Sequence, residues 1–96
     1  MFARLFQFTI DPAQWNAVEQ LADTSHEAMR ASQGFQSVTF FGDPEAGECG
    51  SLSLWDTRED LESFVTASTP RMQEAAAGLF KGPPKIATLD VYQPKS

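Results

Sequence analysis

An α+β domain of ferredoxin-like plan, β-α-β-β-α-β, is what this sequence predicts. Three observations carry the prediction. Four short segments alternate in polarity or are uniformly apolar, as strands are. Two longer segments carry apolar residues at helical spacing. The middle two strand-like segments are joined by "GDPEAGE", a loop too short for a crossover, so they pair antiparallel.

The first strand is "MFARLFQFTI". Phe2, Arg4, Phe6, Phe8 and Ile10 share one face, and Ala3, Leu5, Gln7 and Thr9 the other. Both faces are more apolar than a solvated edge allows, which puts this strand inside the sheet. Asp11 then serves as N-cap and Pro12 as the first helical residue. In the helix that follows, Trp15, Val18, Leu21, Ala22, Ala28 and Met29 form an apolar stripe, and Glu19, Asp23, Glu27 and Arg30 lie opposite. Ser25 falls near the middle of that stripe and His26 at its edge. Gly34 stops the helix.

"FQSVTFF" and "CGSLSLW" are the second and third strands. Thr57 caps a second helix, with Asp60 three residues on in a near capping box. Its buried stripe is Leu61, Phe64, Val65 and Ala67 or Ser68. Pro70 is expected to break it, with "TPRMQEAAAGLF" a further helical segment turning Met72, Ala75, Ala76 and Leu79 inward. Gly78 and "KGPPK" end helical structure, and "IATLDVYQP" is the fourth strand, stopped by Pro94.

The chain of 96 residues makes one domain, residues 1–96, with 42% hydrophobic residues and eight Phe to fill a core. Helices on one face of a sheet leave the other face bare, which points to a homodimer. A net charge of −6 and scattered Lys and Arg exclude a nucleic-acid surface, and an anionic membrane surface for the same reason. No run is long enough to span a membrane, and "MFARLFQFTIDPAQW" lacks the pattern of a signal peptide. The expected setting is cytoplasmic. The lone Cys49 has no disulfide partner; with Glu45 and Glu48 near it and no cationic neighbour, it is expected to be an inert, partly exposed thiol.

The stretches "QGFQSVTFF" and "SLSLWDTREDLESFVTAS", placed after the first helix and after the hairpin, resemble the antibiotic biosynthesis monooxygenase (ABM) domain family of the dimeric α+β barrel superfamily. The resemblance implies a dimer formed sheet against sheet and a cavity between each sheet and its helices. Some members of that family are cofactor-free oxygenases of polycyclic aromatic substrates, others degrade haem, and many have no established activity. The haem branch uses a His in the helical stretch after the strand Trp and an Asn on the first strand. This chain has no His between Trp55 and Lys95, and offers Gln7 on the first strand, so haem degradation is disfavoured. The aromatic-oxidising branch uses an Asn four residues before that Trp and a Tyr six after it; here these positions are Ser51 and Leu61.

Five residues are the candidates for a site. Trp55 either packs the end of its strand against the second helix beside Phe64, or points its indole N–H into the cavity to hold a substrate. Ser51 and Ser53 share its face and form either a polar cavity floor, with Ser51 able to polarise a substrate, or a partly wet surface. His26, at the edge of the helix stripe, is either a candidate base reaching the cavity or a surface histidine hydrogen-bonded to Glu or water. A lone His without ligand-spaced partners makes no metal site, and no cofactor motif is present. Arg4 and Asp90 interrupt apolar strands that are neighbours in this plan, so they are expected to pair, the alternative being an anchor for an acidic ligand. Tyr92 is assigned to the dimer interface.

The function expected is therefore a small dimeric protein that binds an apolar or aromatic molecule between sheet and helices. Cofactor-independent monooxygenation is the reaction the resemblance implies. The alternative is a non-catalytic ligand-binding or structural dimer.

Overall fold

The computed structural model describes residues 1–92 and Pro94. Along the chain run β1 (Phe2–Thr9), α1 (Trp15–Arg30), β2 (Phe35–Asp43), β3 (Glu48–Trp55), α2 (Arg58–Gly78) and β4 (Lys85–Asp90). The strands form one sheet in the order β2-β3-β1-β4, antiparallel at every pair. This is the ferredoxin-like α+β arrangement, and β1 is an inner strand, as its two apolar faces require.

The sheet register sorts the side chains. Phe2, Arg4, Phe6 and Phe8 of β1 lie opposite Trp55, Ser53, Ser51 and Cys49 of β3 on one face. Ala3, Leu5 and Gln7 share the other face with Leu54, Leu52 and Gly50, and with Leu89, Ala87 and Lys85 of β4. Both helices cover the first face. Phe41, Leu52 and Leu89 stand exposed on the second.

Caps and turns follow from the local sequence. Asp11 accepts a hydrogen bond from the Ala13 N–H at 3.0 Å, but Pro12–Gln14 form a 3-10 turn and the α-helix begins only at Trp15. Thr57 accepts from the Asp60 N–H at 3.1 Å and caps α2. Two glycines are required where they stand. Gly34 has φ +80° and its α-carbon lies against the Asp60 carboxylate. Gly47 has φ +73° and lies against the Ile10 carbonyl, while Ile10 N–H donates to the Gly47 carbonyl at 2.8 Å, stapling the hairpin loop to the end of β1.

The expected break at Pro70 does not occur: α2 runs unbroken from Arg58 to Gly78. Proline removes the N–H that the Thr66 carbonyl would receive. On the turn before it, the Ser68 and Thr69 hydroxyls both donate to the Val65 carbonyl, at 3.2 and 2.7 Å. The fourth strand is also shorter than expected, ending at Asp90; Gln93, within the expected strand, lies outside the described residues. Within α2 it is Ser68, not Ala67, that is buried with Leu61 and Phe64.

The core gathers at one end of the helix-covered face, where Met29, Trp55, Leu61 and Phe64 pack with Phe2, Phe35, Val38 and Val65. At the opposite end the Phe80 ring stacks on Phe8 with centroids 4.1 Å apart, and Lys81 N–H donates to the Thr9 carbonyl at 2.8 Å. The chain leaving α2 is thereby tied to the end of β1.

Candidate functional site

Between these two ends the helices stand away from the sheet and leave a cavity of about 290 Å³. That is near the lower end of the ~300–1,000 Å³ usual for ligand pockets. β1 contributes Arg4, Phe6 and Phe8, and β3 contributes Cys49, Ser51 and Ser53. Phe40 of β2 and Phe64 and Met72 of α2 add apolar wall. Trp15, Val18, Leu21, Ala22, Ser25 and Met29 face it from α1. The apolar stripe of α1 is thus largely the roof of the cavity.

Trp55 is not part of that wall. It is completely buried, its ring packed between Phe35 (centroids 5.4 Å apart) and Phe64 (5.1 Å), and its indole N–H donates to Ser53 Oγ at 3.0 Å. The donor considered for a substrate oxygen is satisfied within the fold. Ser51, Ser53 and Phe64 do line the cavity. His26 is exposed: it lies roughly 100° around the helix from the inward Ser25, and its ring sits 6.4 Å from Phe35, outside the cavity lining. Ser51, Ser53 and Phe64 face the cavity together, His26 lies outside it, and Trp55 packs behind Ser53 and Phe64 without lining it.

Three further side chains give the cavity its chemical character. Arg4 is 9% exposed and faces the cavity, its guanidinium carbon 5.2 Å from the Phe6 ring centroid. The expected pair with Asp90 is not formed: Asp90 lies opposite Phe2, whereas Arg4 lies opposite Thr88, and among the described residues the ion pair found is Arg58–Glu62 on the surface of α2. Burial lowers the Arg4 pKa, although a guanidinium remains protonated. Ser25 is buried, and its hydroxyl has no hydrogen-bond partner among the described residues. Cys49, expected to be partly exposed, is buried because β3 turns it toward the cavity, and burial pushes its thiol pKa up. The direction of that shift is opposite to the one that activates a cysteine nucleophile.

The sequence carried signals for two of these. A serine in the middle of an apolar helical stripe and an arginine in a phenylalanine face each mark a polar group turned inward. Which of them faces space and which faces a partner depends on the register between strands. Among the described residues no cluster of three or more His, Cys, Asp and Glu could hold a metal ion, and no helix is long and apolar enough to cross a membrane.

Fold and cavity define the class: a small α+β domain with an apolar pocket under its helices and a few inward polar groups. No protein-family model matches the sequence, and neither does any curated protein sequence. Solved structures share the fold. The chain is similar to Rv0793 of Mycobacterium tuberculosis, with TM-score 0.81 and 19% identity over 99% of this chain and 98% of that one. It is similar to a monooxygenase from the gene ActVA-Orf6 of Streptomyces coelicolor in complex with nanaomycin D, with TM-score 0.78 and 23% identity over 97% and 88%. It is similar also to SnoaB, a cofactor-independent oxygenase from Streptomyces nogalater, with TM-score 0.77 and 13% identity over 98% and 95%. In fold the chain is also similar to solved structures named antibiotic biosynthesis monooxygenases, at 14% and 18% identity with TM-scores of 0.82 and 0.79.

Proposed function

We propose that this protein is a cytoplasmic homodimer that binds a small aromatic molecule in the cavity between α1, α2 and the sheet. The observation that carries the reading is the cavity wall itself, in which Phe6, Phe8, Phe40, Phe64 and Trp15 offer ring faces and edges at a volume suited to a small planar guest. Ser51 and Ser53 supply the polar floor. The homodimer is supported by the uncovered sheet face, where Leu5, Leu52, Leu54, Leu89 and Phe41 lie without a helix over them.

Titration with 2-naphthamide tests the reading. Saturable binding at one site per chain is expected, and it should be lost in Ala22→Trp, which fills the roof of the cavity. Absence of saturable binding by the wild type of both this amide and the corresponding acid, 2-naphthoate, or persistence of binding in that variant, overturns the reading. Sedimentation at micromolar concentration should give twice the chain mass, and a monomer there removes the dimer.

Cofactor-independent monooxygenation is the second reading, favoured by the groups that face the cavity. Such a reaction needs a site that excludes water and donors that stabilise a substrate anion. Arg4, Ser25 and Ser51 are donors in a mostly apolar pocket. Neither His26 nor Trp55 carries a chemical role in this reading. Anthrone oxidised by the protein faster than in buffer is the expected result, and equal rates exclude it.

A further inference from the structure

We infer that the cavity takes an aromatic molecule bearing a carboxylate, with Arg4 as the group that pairs with it; this rests on the ligand-binding reading above. An arginine 9% exposed is rarely left without a counter-ion, because little water reaches its charge. No carboxylate meets Arg4 among the described residues. Asp90, on the neighbouring strand, is exposed and out of ion-pair reach, and Glu19, the acidic residue of the cavity lining, is exposed on α1 and forms no pair with it. Stacking on Phe6 at 5.2 Å compensates part of the desolvation but uses the face of the guanidinium, not its N–H groups. The planar fork of donors is left for a group from outside the chain, and a carboxylate matches that fork with two parallel hydrogen bonds.

A second observation points to the same occupant. The Ser25 hydroxyl, 3% exposed, lines the cavity with no partner. Opposite Arg4 on β3 stands Ser53, whose oxygen accepts from the Trp55 N–H, leaving its own proton to donate. The buried polar groups of the cavity are thus donors in excess of acceptors, around one fixed positive charge. An anion supplies acceptors and charge together, and a neutral guest supplies neither in full. The phenylalanine walls then hold the ring to which the carboxylate is attached.

The test compares 2-naphthoate with its neutral isostere 2-naphthamide in calorimetric titrations of the wild-type protein, which requires no variant to fold. Naphthoate is expected to bind at least about tenfold tighter. In Arg4→Met, which keeps the length of the side chain and removes its charge, that preference should vanish while naphthamide binding persists. In Arg4→Lys, which keeps the charge without the fork, a reduced preference should remain. Equal affinity of the two probes for the wild type overturns the assignment of a carboxylate and leaves the binding reading standing. Retained preference in Arg4→Met overturns the role of Arg4. Binding of neither probe overturns both readings.

Discussion

The indole N–H of Trp55 and the hydroxyl oxygen of Ser53 form a hydrogen bond of 3.0 Å within one strand, two residues apart on the face that packs beneath the helices. The bond closes off the donor of the largest core side chain and leaves Ser53 between core and cavity, where it also lines the pocket. One serine therefore serves stability and the site together.

Replacing that serine should be costly for its size. Ser53→Ala leaves a fully buried indole N–H without an acceptor, an expected loss of about 1–3 kcal/mol. Ser51→Ala, at a half-buried position with no side-chain hydrogen bond among the described residues, should cost less. Urea denaturation of the two variants checks the order, and equal losses would show that the Trp55–Ser53 bond contributes nothing net.

Trp55 itself should matter to folding and not to the ligand. Trp55→Phe removes part of a ring packed between Phe35 and Phe64, and about 1–3 kcal/mol of stability is expected to go with it. Because the indole stands outside the cavity, affinity for 2-naphthamide should stay within about twofold, less than half a kcal/mol. A tenfold loss in a variant that remains folded would place Trp55 in the site after all.

Cys49 should behave as a protected thiol. Its pKa is raised by burial, so the folded state holds its proton over a pH range in which the unfolded chain has begun to lose it. The contribution to stability is complete below the unfolded thiol's pKa and declines as pH rises toward and through the folded value. Alkylation at mildly alkaline pH should accordingly be slow in the native protein and fast in urea. Rapid native labelling would contradict its burial.

Two glycines should respond in opposite directions. Gly34→Ala meets a positive φ and the Asp60 side chain at once, and a loss of more than about 1 kcal/mol is expected. Gly78, the last residue of α2, has open space where a β-carbon would go. There Gly78→Ala should gain about 0.4–1 kcal/mol by restricting the unfolded chain. Thermal melts of both variants measure the pair.

Much of the architecture was legible because it is written in local patterns. The alternation through β1 and β3, the cap at Thr57 and the turn residues of the hairpin each act within a few positions, and all appear where the sequence places them. Pro70 was misleading for a physical reason. A proline withdraws one backbone hydrogen bond, but the rest of α2 remains held by Leu61, Phe64 and Ser68 on its buried side, and the helix continues. The site was less legible. Ser51, Ser53 and Phe64 could be proposed from the face they share, whereas Arg4 was matched to Asp90 across neighbouring strands without knowledge of their register.

By itself the sequence determined which segments become strands and helices, that β1 lies inside the sheet, and that one sheet face is left apolar and uncovered. These follow from periodicity, caps and composition, which act over short stretches of chain. Only the tertiary structure decided that Trp55 spends its N–H on Ser53, that His26 faces solvent, that Cys49 is buried, and that one cavity is lined by Arg4 with no carboxylate partner and by Ser25 with no hydrogen-bond partner among the described residues. Those outcomes depend on strand register and on how far the helices stand from the sheet. Both are set by the packing of residues distant in sequence, and a shift of one position would turn every side chain on a strand to the other face.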